Sequence, residues 1–245
     1  MFILLFASSI VFANEKADDC GLYKKQEKMI ASYSSPTFKA TYQITTPTNK
    51  HMLEYYRDGN VVAYSYPSQK ITEIYTRLKN GNVALIKAFD AYKRAIEYDT
   101  IDIETEGDTI DWDSHANLPS PSRMNLLHNR VACSLSDDLE HYIKRGKSTY
   151  IEMIWNKSKN LLVELELYKH KHLVYRYVLK NIEPIDQHLK AVKSYESTDF
   201  ADIGDNESDP FLAKLIDLGF VSHHEVNVLD TDGHLIKTEH TSHHH

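Results

Sequence analysis

From Phe38 the chain alternates apolar and polar positions, with Phe38, Ala40, Tyr42 and Ile44 set against Lys39, Thr41 and Gln43. A period of two predicts a strand with one face toward a core. More strands follow. Residues 52–57 and 61–66 flank Asp58-Gly59-Asn60, and residues 71–78 and 83–89 flank Lys79-Asn80-Gly81-Asn82. Gly and Asn tolerate the left-handed backbone that tight hairpin turns require, so neighbours in sequence are expected to be neighbours in one meander, continued by residues 95–103. Ahead of the first strand, Leu22, Met29, Ile30 and Tyr33 recur at helical spacing until Ser34-Ser35-Pro36, which predicts one amphipathic helix over residues 19–33.

Residues 108–146 break the alternation with Pro119 and Pro121. Within them, Ser136 reads as an N-cap, Leu139, Tyr142 and Ile143 as a helical face and Gly146 as the closing C′ residue. The expectation is a helical insertion between two sheet halves. Strands resume at residues 150–155, 161–168 and 172–179, separated by 156–160 and by Lys169-His170-Lys171, which reads as a turn. Ile151, Met153 and Trp155 lie on one side of a strand and Ile154 on the other, which predicts a sheet covered on both faces. Farther on, Asp209 and Pro210 read as N-cap and first residue of a helix carrying Phe211, Leu212, Leu215, Ile216 and Leu218, with Gly219 closing it. Residues 225–229 and 234–238 flank Asp230-Thr231-Asp232-Gly233, a hairpin pattern.

Composition narrows the setting. The 245 residues are 42% hydrophobic, enough for a real core. Lys and Arg number 28 against 35 Asp and Glu, a net charge of −7, so the chain lacks the positive excess that would attract nucleic acid or an anionic membrane. Phe2 to Phe12 is an apolar run too short for a bilayer and ends in Val11-Phe12-Ala13, with short side chains at the −3 and −1 positions. It predicts a signal peptide over residues 1–13, cut after Ala13, and export to the periplasm. Asp18 and Asp19 precede Cys20 where a lipid-anchor motif carries small or apolar residues, and no other run has the length of a membrane helix. A soluble mature protein is expected. In an oxidising compartment the paired cysteine count favours a disulfide from Cys20 to Cys133, worth about 4 kcal/mol in the loop-entropy model.

The order helix, meander, insertion and second meander in an exported chain is accompanied by Tyr64-Ser65-Tyr66-Pro67-Ser68-Gln69 after the Asp58-Gly59-Asn60 turn. With the later hairpin from Ile154-Trp155-Asn156-Lys157 to Leu167, it resembles the periplasmic outer-membrane lipoprotein carrier and its sensor relatives, the LolA/RseB-like half-barrel fold. The resemblance runs over residues 19–183 and implies a curved sheet and plug helices enclosing an apolar cavity for acyl chains, with no covalent chemistry. The expected fold class is α+β: a curved, half-barrel-like antiparallel sheet covered by helices over residues 14–183, followed by a C-terminal helix, hairpin and His-rich tail over 184–245. Tyr42, Ile44, Val163, Leu165 and Tyr175 are the candidate apolar face. They are either ordinary core or the lining of a site for lipid or a lipoprotein acyl chain, with tyrosines suited to its rim.

Two other classes stay open. Pairing Leu229 with His234 across the last turn places His224 opposite Glu239 and His223 opposite His240. His223, His224 and His240 then form a candidate site for Zn, Cu or Ni, with a solvated tail or a purification-tag remnant at His243–His245 as the alternative. An assembly factor for another periplasmic protein, with a filled core, is the third class. The acidic run Asp199, Asp202, Asp205, Glu207 and Asp209 lacks the order of a calcium loop. No metalloprotease, serine-hydrolase or phosphate-loop motif occurs, so no enzyme is expected.

Overall fold

The computed structural model describes residues 20–105, 111–118, 128–129, 138–206, 208–218, 228–229 and 235–236. The expected signal peptide and Cys133, hence the disulfide, lie outside the described residues. So do His223, His224, His240 and the tail.

The period-two segment forms β1 (Phe38–Thr45), with Phe38, Ala40, Tyr42 and Ile44 all buried. Behind it come β2 (Lys50–Asp58), β3 (Val61–Tyr66), β4 (Ile71–Arg77), β5 (Val83–Phe89) and β6 (Arg94–Tyr98), each antiparallel to the one before. Gly59 turns β2 into β3 at φ 62° and Gly81 serves the β4–β5 turn at φ 92°, conformations that a side chain disfavours. The second meander comprises β7 (His128–Asn129), β8 (Leu139–Arg145), β9 (Thr149–Asn156), β10 (Leu161–Lys169) and β11 (His172–Glu183). The two meanders fuse where β1 pairs antiparallel with β11, Tyr42 opposite Leu179 and Ile44 opposite Tyr177.

With β12 (Glu196–Asp199), one mostly antiparallel sheet of twelve strands results, in the order β12-β6-β5-β4-β3-β2-β1-β11-β10-β9-β8-β7. It is open, with β12 added parallel to β6 at one edge and β7 at the other. Register shifts at Thr41/Tyr42, Leu162/Glu164 and Leu167/Tyr168 mark bulges, and bulges bend and twist the strands that carry them. The architecture is thus the expected α+β curved sheet.

Because β6 lies beside one edge and β7 at the other, the chain between them must cross the sheet. Helices α2 (Thr100–Thr105) and α3 (Trp112–Ala116) lie on that crossing. Here two expectations are corrected. Residues 95–103 do not form a strand throughout: the Asp99 carboxylate accepts from the backbone N–H of Ile101 and Asp102, and Asp102 accepts from Asp99 N–H. This reciprocal cap starts α2. The expected helix from Ser136 to Gly146 is replaced, among the described residues, by β8 (Leu139–Arg145), which belongs to the sheet rather than to an insertion. Leu139, His141 and Ile143 are buried between half-buried Glu140, Tyr142 and Lys144, an alternation that pairs with β9 from Leu139↔Asn156 to Arg145↔Tyr150. Leu139 and Ile143, four apart, fit both periods, and the available partner strand decided between them. Gly146 is a turn residue whose added Cβ would fall 2.4 Å from Thr149 Oγ1.

Helix α1 (Cys20–Ala31) lies against β11, where Gln26 Nε2 donates to Leu179 O at 2.9 Å. Asp209 and Pro210 begin the helix Pro210–Asp217 as the sequence predicts, with Asp209 accepting from Phe211 N–H. Phe211 packs against Phe89 and Tyr92, with the Arg94 guanidinium 4.9 Å from its ring. In the terminal hairpin Leu229 pairs with Leu235, not with the expected His234. The pairing expected of His223, His224, Glu239 and His240 lies outside the described residues.

Candidate ligand-binding face

Cross-strand pairing sets an apolar row across four strands. Ile44 faces Tyr177, Tyr177 faces Leu165 and Leu165 faces Met153. All five residues expected on this face belong to one apolar cluster. Tyr42 and Val163 are 0% exposed, Ile44 4%, and Leu165 and Tyr175 8%. Exposure rises along the strands toward the β8–β9 and β10–β11 turns, where Ile151, Leu167 and Val174 are half-buried at the margin of the cluster.

The opposite end is shut by α3. Tyr55 donates its hydroxyl to Ala116 O at 2.6 Å, Tyr64 to His115 O at 2.5 Å and Tyr42 to Leu162 O at 2.9 Å. The His115 ring stacks on Tyr75 with centroids 4.0 Å apart. Burial pushes the Tyr42 and Tyr64 phenols well up and the Tyr55 phenol up, against the opposing pull of Arg57, so they stay neutral donors. Arg57 completes the closure. Its Nη1 donates to Lys159 O at 2.7 Å, its Nη2 to Asn160 O at 3.0 Å and Ala116 O at 3.2 Å, and its Nε to Tyr55 Oη at 3.0 Å. One guanidinium thereby ties β2, α3 and the β9–β10 turn together, with its fork matched to several acceptors at once.

The other face carries polar groups and a smaller apolar cluster around the helix Gln187–Val192. Lys39 Nζ lies 2.5 Å from Asp186, 2.7 Å from Glu183 and 3.7 Å from Glu54. Burial works against the Lys39 ammonium, but its bonds to Asp186 and Glu183 outweigh it and raise the pKa. Burial likewise pushes Asp186 up, and Lys39 overrides it so that the carboxyl ends below its ordinary value. His188 Nε2 faces Thr72 Oγ1 at 3.2 Å, Ser65 Oγ at 3.4 Å and Asp90 Oδ2 at 3.8 Å. A serine nucleophile needs hydroxyl and carboxylate on opposite ring nitrogens. Here both converge on one nitrogen, with Ser65 and Thr72 buried, and the contacts dock the helix. On β8–β11, Arg176 bridges Glu164 at 2.5 Å and Glu166 at 3.0 Å, and His141 meets Glu152 at 2.9 Å.

Arg57 and Lys39 were invisible as site residues in the sequence, where they read as polar strand positions; only the strand register supplies their partners. Among the described residues no group of three or more His, Cys, Asp or Glu side chains is arranged to hold a metal, and no helix is long and apolar enough to cross a membrane.

The fold and its covered face define an open-sheet α+β protein with a tyrosine-rich apolar side. No family model matches the chain, and no curated protein does. Among solved structures it is similar to PNGF-II at 10% identity and a TM-score of 0.37, over 70% of this chain and 33% of that one. It is similar to MucB, solved in complex with MucA(peri), at 9% identity and 0.33, over 63% and 53%. A DUF1329 family protein from Desulfovibrio piger matches at 7% identity and 0.28, over 69% and 95%. The matches therefore span 33% and 53% of the first two structures' own lengths. These likenesses amount to a loose relationship of fold at most.

Proposed function

We propose that this is an exported, non-enzymatic binding protein that takes the acyl chain of a lipid or lipoprotein along the inner face of its sheet. The observation that carries the reading is the gradient of exposure on that face. Tyr42 and Val163 are sealed at 0%, Ile44, Leu165 and Tyr175 lie at 4–8%, and Ile151, Leu167 and Val174 open toward the hairpin turns. An apolar chain entering there would meet side chains of matching chemistry and a face closed at its far end by α3. Native mass spectrometry of the untagged protein from its exported compartment tests it, before and after organic extraction. A lipid mass that solvent removes, and that Leu167→Glu prevents from co-purifying, is the expected result. A bare chain that also fails to bind a fluorescent fatty acid refutes it.

The complete burial of Tyr42 and Val163 favours a second reading, a filled core in a factor that assembles with another protein. Ile101, at 69% exposed, and Leu218, at 51%, would then lie on contact surfaces. A bare chain that captures a defined protein partner through Ile101 supports that reading. Loss of a bound mass to chelator alone would instead move the case to His223, His224 and His240.

A further inference from the structure

The β8–β9 and β10–β11 turns lie side by side at one end of the sheet, because β9 and β10 pair up to Lys169↔Thr149. His170 N–H donates to Ser148 O at 2.6 Å and joins the two tips. The tips read Lys144-Arg145-Gly146-Lys147-Ser148 and Lys169-His170-Lys171-His172, without an Asp or Glu, in a chain of net charge −7. Arg145, Lys147, Lys169, His170, Lys171 and His172 are exposed. His170 and Lys171 hold φ of 51° and 68°, the left-handed turn for which Asn-Gly is the ordinary choice. Keeping bulky, charged residues there has a conformational cost, and such a cost marks a position with a task.

Just inside the tips, Tyr150 and Tyr168 pair across β9 and β10 with ring centroids 6.1 Å apart. The Arg145 guanidinium lies 5.5 Å from the Tyr150 ring, and both hydroxyls are anchored, to Glu152 at 2.7 Å and to Glu166 at 3.2 Å. Tyr150 and Tyr168 stand on the polar face with Glu152 and Glu166, and half-buried Ile151 and Leu167 on the opposite, apolar face, so the cations of the two tips project beyond both faces, where the charge they present is complementary to a plane of anionic headgroups. We infer that the paired tips are a docking surface for an anionic lipid bilayer. Four strands at about 4.8 Å spacing give an end about 15 Å wide, a small basic face suited to a plane of headgroups. A strand of nucleic acid would need stacking platforms, and the tyrosines here are tied by their hydroxyls to carboxylates. The inference stands apart from the acyl-chain reading, since docking requires only the tips.

Co-sedimentation of the full mature chain with vesicles tests it, comparing pure phosphatidylcholine with vesicles holding about 30 mol% phosphatidylglycerol. The expected result is binding to the anionic vesicles alone, weakened at about 0.5 M salt. Combined Lys147→Gln, Lys169→Gln and Lys171→Gln should reduce that binding by at least about tenfold, while Lys24→Gln, Lys79→Gln and Lys193→Gln, an equal loss of charge elsewhere, leave it intact, with circular dichroism reporting the fold of both. Indifference to anionic vesicles overturns the inference, as does an equal loss in both triple variants. So does tighter, tip-dependent binding to a single-stranded oligonucleotide than to the vesicles. Failure of fatty-acid binding with vesicle docking retained would strike the acyl-chain reading alone.

Discussion

Replacing Arg57 by Met removes the tie that closes the far end of the apolar face while keeping most of the aliphatic volume. Four hydrogen bonds are lost, to the carbonyls of Lys159, Asn160 and Ala116 and to the Tyr55 hydroxyl. Bonds to a charged group contribute about 1.5–3 kcal/mol each, but they do not simply add. Lys159 and Asn160 lie in a turn where water replaces the guanidinium, and Ala116 O keeps the Tyr55 hydroxyl. The contacts of Arg57 with the Phe38 and Tyr55 rings, at 5.2 and 5.4 Å, are lost as well. The net expectation is a destabilisation of about 2–4 kcal/mol, a drop in Tm of roughly 10 °C for a domain of this size. Urea unfolding measures the total, and amide hydrogen exchange localises it: residues 111–118 should exchange faster than the β1–β11 pairing. Arg57→Lys should recover less than half, because an ammonium cannot serve the divergent acceptors of a fork. A loss below about 0.5 kcal/mol with unchanged exchange at 111–118 would show that α3 is held by something else.

The Lys39 cluster predicts a pH-dependent penalty. Lys39→Met leaves Glu54, Glu183 and Asp186 facing one another and should cost about 2–4 kcal/mol at neutral pH, shrinking toward pH ~4 as the carboxylates protonate. In the wild type the depressed pKa of Asp186 makes the sign definite: its contribution is complete above its unfolded value near 4 and disappears as pH falls through the lower folded value. Denaturation midpoints from pH 3 to 7 should show that acid loss in the wild type and not in the variant. Asp209 accepts from Phe211 N–H and pairs with Arg94 at 3.0 Å, and the backbone bond is the chief cause of its lowered pKa. Asp209→Ala should therefore cost about 1–2 kcal/mol and speed exchange in residues 210–217, with Asp209→Asn restoring the cap but not the ion pair. Equal exchange in the two variants would mean that the cap is not what holds the helix.

The sheet was legible because its strands announce themselves locally. Phe38 to Ile44 alternate, Gly59 and Gly81 mark turns, and Asp209-Pro210 states a helix start within two residues. The errors fell where local signals were ambiguous. Leu139 and Ile143 satisfy both periods, and the deciding fact, a free edge on β9, is a property of the assembled sheet. In residues 95–103 the β-branched Ile101 and Ile103 suit a strand, but Asp99 and Asp102 have the spacing of a reciprocal cap, and the cap prevails. The candidate face was legible as apolar positions; its closure was not. Arg57 finds acceptors 59 to 103 residues away, and Lys39 reaches Asp186 across 147, separations that no periodicity encodes.

Charge placement across the sheet links the basic tips to the net charge that first argued against an anionic partner. Glu196, Asp199, Asp202 and Asp209 gather at the β12 edge, eight positions from β10 in the strand order. At about 4.8 Å per strand that is a path of roughly 40 Å. The Debye length is about 8 Å at physiological ionic strength and about 30 Å at 0.01 M. At physiological salt an anionic surface meeting the tips is therefore screened from the acidic edge, and local charge governs over the net −7. At very low salt the acidic edge is felt as well. Binding to anionic vesicles should accordingly weaken between about 0.1 and 0.5 M salt but gain little, or fall, on dilution below about 0.02 M, whereas a uniformly basic surface would tighten without limit. A monotonic rise down to the lowest salt would mean that the acidic edge does not oppose the tips, and that the two charge clusters do not act on one surface together.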